Sequence, residues 1–286
     1  MSKKITIAID AMGGENSPAK TINGVSIFLK KNVSKDDFLL NLFGDKEKIN
    51  RELIKHNISN NNKIKIIHTD SVVSDEETPL TAVKTSRNTS MWNCISSQLE
   101  GNSDISLSAG NTGVLLVISR MILKMMDQVS KPALAGLWPN NNGMNVVLDL
   151  GANIECNEDN LTDFAELGSA LYKSLYPDQK PMVSLLNIGS EEIKGTEILK
   201  KTFRKLNSLS GDNNFIFKGY IEGNKITQGL SNVIVTDGFT GNIALKTAEG
   251  TAKFITDNLK DSLTSNLFSK LSLIFSYFSL KSFKER

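Results

Sequence analysis

The chain has 286 residues, enough to bury a substantial core as one large α/β domain or two smaller ones. Its 33 Lys and Arg against 31 Asp and Glu leave a net charge of +2, and no dense basic run with interleaved aromatics occurs, which argues against nucleic acid as a partner. The two cysteines, Cys94 and Cys156, form no C-x-x-C spacing, which fits a reducing compartment and gives no sign of a zinc site or disulfide framework.

The N-terminal MSKKITIAIDAMGG has only the short apolar run ITIAI before Asp10. It reads as a first strand rather than a signal peptide, and the cytoplasm is the expected location. Strand patterns recur at 5–10, 38–45, 64–70, 104–110, 145–151, 182–189, 215–223 and 232–238. Between them lie helical patterns: PAKTINGVSIFLKK after the first strand, TGVLLVISRMILKMM after SAGNTG, and NLTDFAELGSALYKSLY with Asn160 as its N-cap. A further one, GTEILKKTFRKLNSL, aligns Leu199, Phe203 and Leu206 on one face. The alternation predicts an α/β fold with a mostly parallel sheet and helices on both faces. The Asn-rich patches NISNNNK, PNNNG and GDNN read as loops.

Five strands end in glycine with Asp, Asn or Thr: Asp10 with Gly13 and Gly14, Gly110 with Gly113, Asp149 with Asn153, Asn187 with Gly189, and Asp237 with Gly238 and Gly241. Parallel sheets bind ligands outside the carboxyl ends of their strands, so these endings are expected to converge on a substrate site. SAGNTG and DGFTGN each open a helix, and a helix N-terminus favours an anion such as phosphate. Either loop alone reads equally as a capped turn. Neither matches G-x-x-x-x-G-K-[ST], and no G-x-G-x-x-G follows a strand.

The familiar covalent sites are missing: there is no G-x-S-x-G elbow and no H-E-x-x-H. His56 and His68 read as structural or exposed, and Cys94 as a small buried residue. A bound anion is then the candidate nucleophile. Lys84 and Arg87, three apart on an expected helix, are candidates to hold it or else part of a solvated face; Lys246 follows the second glycine-rich loop. Asp149 and Asp237 are expected to organise backbone donors, since bare carboxylates repel phosphate.

Taken together, IDAMGGE, VKTSRNTSM, SAGNTG, KPALA, VLDLGAN, LLNIGSEEIKG and VIVTDGFTGNIALKTAEG resemble the PlsX family of bacterial phosphate acyltransferases, in one order from about Ile7 to about Phe254. The resemblance implies a Rossmann-like α/β/α fold similar to phosphotransacetylases and a homodimer; nothing in the sequence calls for a cofactor or metal. It implies acyl transfer from acyl carrier protein to inorganic phosphate, giving acyl phosphate that feeds a downstream glycerol-3-phosphate acyltransferase in phospholipid synthesis. On this reading Ser108, Asn111 and Thr112, with Gly241 and Asn242, bind phosphate and the oxyanion, while Lys84 or Arg87 balances charge. An acidic carrier protein is expected to dock on a basic face at Lys194, Lys200, Lys201 and Arg204, unless that face is simply solvated. The runner-up enzyme is a phosphotransacetylase-like protein using acyl-CoA.

In the tail, SNLFSKLSLIFSYFSLKSFKER, residues Leu267, Leu271, Ile274, Phe275 and Phe278 fall on one helical face. The uncharged run 271–280 is far short of the about 20 apolar residues that span a bilayer. A basic amphipathic end suits an anionic membrane surface, or else a dimer or core contact. The expected division is a catalytic domain over 1–258 and an amphipathic tail over 259–286. PlsX relatives continue beyond this helix through a glycine-rich segment, a strand and a helix, whereas this sequence stops at Arg286, so a non-catalytic membrane-associated scaffold is the other alternative.

Overall fold

A computed structural model describes residues 4–32, 37–74, 76–210 and 215–284. Two compact units divide the chain, Met1–Ser130 and Lys131–Arg286.

The first unit runs β1 (Ile5–Asp10), α1 (Ala19–Lys31), β2 (Phe38–Gly44), α2 (Lys46–Lys55), β3 (Ile64–His68), α3 (Pro79–Thr85), α4 (Ser90–Leu99), β4 (Ile105–Ser108) and α5 (Thr112–Leu123). Its four strands are all parallel, in the order β3-β2-β1-β4. Alternation within β1 sends Ile7 and Ile9 to the face carrying α1 and α2, where Ile22, Val25, Leu29, Ile49 and Leu53 pack on Leu40 and Leu42. Ala8 faces the other side and meets Cys94 of α4. Met91 and Ile95 of α4 then pack with Val114, Ile118 and Ile122 of α5.

The second unit runs β5 (Gly136–Asn140), β6 (Gly143–Leu148), α6 (Glu158–Leu175), β7 (Met182–Asn187), α7 (Glu197–Leu209), β8 (Ile216–Glu222), a short 3-10 turn, β9 (Val233–Val235), α8 (Gly238–Thr264) and α9 (Leu267–Lys284). The strand order is β5-β6-β9-β7-β8, parallel except for the β5–β6 hairpin. Leu161, Phe164, Ala165 and Tyr172 of α6 form its main core with Leu148, Val183 and Val233.

The mostly parallel α/β reading holds, with four differences. The strands form two sheets rather than one. PNNNG is mostly strand rather than loop: Pro139 and Asn140 end β5, Gly143 opens β6, and Asn141 and Asn142 form the tight turn between them. The N-cap of α6 is Asn157, not Asn160; Asn160 is the reciprocal partner three residues on, the two side chains forming a capping box. Finally, α3 ends at Thr85, so Arg87 lies in the following turn and shares no helix with Lys84.

Gly168 of α6 rests directly on the second sheet. A Cβ there would lie 2.6 Å from Val233 Cγ1 and 2.8 Å from Leu148 Cδ2. Overpacking of this kind costs about 1–3 kcal/mol, against about 1 kcal/mol gained from replacing glycine in a helix. Gly168→Ala is expected to lower the urea midpoint with the slope of the transition unchanged, a net loss of up to about 2 kcal/mol.

Candidate active site

In the first unit two loops meet at the carboxyl ends of the adjacent strands β1 and β4. The buried Asp10 carboxylate ties them together. Its Oδ1 accepts the N–H groups of Met12 and Gly13, both at 3.2 Å, and its Oδ2 accepts the Ser108 hydroxyl at 2.7 Å. Ser108 Oγ in turn accepts the Gly110 N–H at 3.1 Å. The approach is close enough that a Cβ on Gly13 would lie 2.5 Å from Asp10 Oδ2, 2.8 Å from Ser108 Oγ and 2.9 Å from Gly110 N, so only glycine fits. Gly14 follows on the same loop.

The second of these loops opens α5. Asn111 is the N-cap: its Oδ1 accepts the Val114 N–H at 3.1 Å, its carbonyl accepts the Leu115 N–H at 2.9 Å, and its Nδ2 donates to the Glu77 carbonyl at 3.1 Å. A helix start leaves four N–H groups without helical partners. The Thr112 and Gly113 N–H groups therefore remain at the end of α5, beside a neutral cap, with Thr112 exposed. The start of α3 abuts this point: a Cβ on Gly113 would lie 3.1 Å from Pro79 Cγ. Lys84 and Arg87 are exposed and make no ion pair among the described residues.

The second unit carries a related loop after β6. Asp149 is fully buried, and its two oxygens accept five hydrogen bonds of 2.8–3.1 Å: from the N–H groups of Leu134, Gly151, Ala152 and Asn153, and from Asn153 Nδ2. Asn153 Nδ2 also donates to the Pro132 carbonyl at 2.6 Å. The N-terminus of α8 closes on this loop. Gly238 N–H donates to the Asn153 carbonyl at 2.8 Å, Asn242 Nδ2 donates to the Leu150 carbonyl at 3.2 Å, and a Cβ on Gly241 would collide with the Asp149 carbonyl oxygen.

The two glycine-rich helix starts thus differ. At α8 the Asp237 side chain takes the Thr240 N–H and hydroxyl, both at 2.8 Å, and the Asp237 carbonyl takes the Gly241 N–H at 2.9 Å. The Gly238 N–H is already taken by the Asn153 carbonyl, and the cap sets a carboxylate at that end. The start of α5 keeps two donors beside a neutral cap, features that favour an anion.

The remaining sequence candidates are spread along the second unit. Asn187 is buried at the end of β7, where its amide accepts from Ile188 N–H and donates to the Lys194 carbonyl, shaping the 188–195 loop. Lys246 is on α8 and pairs with Glu249 at 2.8 Å. Lys194 pairs with Glu191, Lys200 with Glu197 and Lys201 with Glu158, whereas Arg204 has no ion pair among the described residues. In α9, Phe275 and Phe278 are 87% and 80% exposed. The side chains of Leu267, Leu271 and Ile274 lie outside the described residues. Among the described residues no helix is long and apolar enough to cross a membrane, and no group of three or more His, Cys, Asp or Glu side chains is placed to hold a metal ion.

A family model described as "Fatty acid synthesis protein" matches residues 5–286. The chain belongs to the PlsX family. A phosphate acyltransferase of Pelagibacter ubique (strain HTCC1062) is 54% identical over 286 residues, all of this chain and 84% of that protein. One of Maricaulis maris (strain MCS10) is 40% identical over 271 residues, 93% of this chain and 75% of that protein. The chain is accordingly an acyltransferase, and the scaffold alternative falls away. A solved phosphotransacetylase from Streptococcus pyogenes superposes with a TM-score of 0.61 at 15% identity, covering 88% of this chain and 82% of that one. EutD phosphotransacetylase from Staphylococcus aureus gives 0.59 at 17%, covering 87% and 83%. These two share the fold.

The sequence reading missed the tie from Asn111 to Glu77 and the part Pro79 plays beside Gly113. The Thr-Pro pair at 78–79 was the available signal, since proline in a first turn marks a helix start.

Neither cysteine is poised as a nucleophile. Burial, and next the Asp10 charge, push the Cys94 thiol up to about 12, and burial raises Cys156 as well. At pH 8 Cys94 is therefore held as the thiol. Ellman's reagent is expected to leave Cys94 unmodified in the folded enzyme at pH 8 and to titrate both cysteines once it is unfolded.

Proposed function

We propose that this enzyme transfers a fatty acyl group from acyl carrier protein to inorganic phosphate, and that the anion is held at the start of α5. The observation that carries this reading is the pair of N–H groups, Thr112 and Gly113, left without helical partners beside loops locked by Asp10 and Ser108. A phosphate oxygen attacks the thioester carbonyl carbon and a C–O bond forms. The carbonyl oxygen becomes an oxyanion, which fixed N–H donors stabilise. The C–S bond then breaks. The phosphopantetheine sulfur departs as a thiolate, which is stable enough to leave because thiols have pKa values of about 8.5, and it takes a proton from solvent. No enzyme nucleophile is consumed, in keeping with the burial of both cysteines.

Within this scheme Ser108 and Asn111 set the loop geometry, and Thr112 with Gly113 faces the anion. Lys84 or Arg87 supplies balancing charge, a role supported by their exposure and by the absence of an ion pair to either among the described residues. Asn242, Gly241 and Asn153 keep the substrate-binding role that family likeness assigns them. Acyl phosphate released here is the expected substrate of a downstream glycerol-3-phosphate acyltransferase. Carrier protein is proposed to dock along α7, where Arg204 is the residue best able to meet an acidic partner. The tail, residues 259–286, is proposed to lie on the membrane surface, and the enzyme to act as a homodimer. The exposure of Phe275 and Phe278 supports the membrane contact.

Thiol release from acyl carrier protein, measured with and without phosphate, tests the reaction; release that ignores phosphate or occurs only with acyl-CoA would overturn it. Thr112→Pro tests the cradle. Proline is tolerated at the first helical position, and Asn111 already has the extended backbone that a following proline requires (φ −55°, ψ 116°). The substitution deletes one N–H and leaves the helix. Phosphate-dependent turnover is expected to fall about 100-fold with an unchanged circular dichroism melt. The pair Phe275→Glu and Phe278→Glu is expected to abolish sedimentation with anionic liposomes while the melt stays the same.

A further inference from the structure

Asparagine followed by glycine occurs twice in the sequence, as Asn23-Gly24 and Asn142-Gly143. In this dipeptide the backbone nitrogen next to the asparagine side chain has no Cβ beside it to block an approach. Folding puts the two copies in opposite situations. Asn23 and Gly24 lie inside α1, where the helix repeat commits the Gly24 N–H to the Lys20 carbonyl and fixes the backbone around it.

Asn142 and Gly143 lie at the tip of the β5–β6 hairpin. Asn141 and Asn142 form the turn, and Gly143 opens β6 opposite Asn140. Asn142 and Gly143 are both exposed, and a Cβ on Gly143 would meet nothing within 4 Å. Gly143 has a φ of 138°, a backbone that glycine adopts freely. β5 is at the edge of its sheet, so the last pair of the hairpin ladder opens at little cost. The neighbouring amides are firmly held: Asn140 Nδ2 donates to Asn145 Oδ1 and Asn145 Nδ2 donates to the Ile226 carbonyl, both at 2.6 Å. Asn142 Nδ2 reaches the Gly229 carbonyl at 3.4 Å, beyond the about 2.7–3.2 Å of an ordinary N–H···O bond.

We propose that Asn142 is a modification site at which the folded protein converts spontaneously, with water as the only co-reactant, to aspartate and isoaspartate. The Gly143 nitrogen attacks Asn142 Cγ. A C–N bond forms, the Cγ–Nδ2 bond breaks, and the Gly143 amide proton goes to the departing ammonia. The cyclic imide left behind takes up one water. Opening at Cγ gives aspartate; opening at the main-chain carbonyl gives isoaspartate, whose chain runs on through Cβ and Cγ. The net change is one water in and one ammonia out. Both products set a carboxylate where Asn142 offered a donor to the Gly229 carbonyl. Isoaspartate also adds a backbone atom to a two-residue turn, so the hairpin loosens.

The full-length protein is aged in mildly alkaline buffer made with water enriched in heavy oxygen, then digested and read by mass spectrometry. The peptide that carries Asn142 is expected to gain about 3 Da, about 1 Da for amide to acid and about 2 Da for the label, and to split into two chromatographic forms. The peptide that carries Asn23 is expected to gain nothing until the protein is unfolded in urea. Asn142→Gln keeps the amide but has to close a six-membered ring, and is expected to abolish the gain. Asn142→Ser, which has no amide to lose, is the second variant should Asn142→Gln fail to fold. Aged wild-type protein is expected to melt below fresh protein, whereas the aged variant melts as it did when fresh. No gain at Asn142 in the folded protein, or an equally fast gain at Asn23, overturns the site. An unchanged melt after complete conversion overturns the loosening of the hairpin.

Discussion

A buried carboxylate at the end of a parallel strand is the constraint around which each unit is arranged. Taking Asp10 out of water is costly unless hydrogen bonds replace the lost solvent. The chain supplies them from two places: backbone N–H groups of the glycine-rich loop that follows β1, and the hydroxyl of Ser108 at the end of β4. One charged side chain thereby fixes two loops that are almost a hundred residues apart in sequence. Asp149 does the same after β6, with five donors drawn from Leu134 and the 151–153 loop. In both places the carboxylate is buried and hydrogen-bonded by neutral donors, so it organises the loops around it rather than facing solvent.

Cap chemistry then separates two loops that look alike on paper. SAGNTG and DGFTGN both run from a strand into a helix with glycine at matching points. A neutral amide caps α5, and a carboxylate caps α8. A helix end capped by its own charge has little left for a ligand, whereas an amide cap leaves the partial positive charge of the end unanswered. The difference between Asn111 and Asp237 is what makes the α5 start the proposed cradle and the α8 start a joint of the fold.

Much of this was legible before any coordinates. Period-two alternation located eight of the nine strands among the described residues, and the glycine-rich strand ends pointed to the carboxyl edge of a parallel sheet. The antiparallel β5 was missed because Asn141 and Asn142 read as loop while the flanking run GLWPN shows little alternation. Pairing partners are not encoded in local periodicity, so one expected sheet became two. The amides Asn111, Asn153 and Asn187 were visible as candidates, but their engagement with Glu77, Pro132 and Lys194 carbonyls depends on long-range geometry.

The seating of α8 has a mechanical consequence. Its buried residues are Gly238 and Gly241 alone, wedged against the Asp149 loop. The helix rises about 35 Å from Gly241 to Thr264. It is a cantilever clamped at the glycine end. A tilt of about 5° at the clamp swings Thr264 by about 3 Å. Forces on the far end of α8, where the chain passes into α9, are therefore delivered, with leverage, to the loop that Asp149 organises.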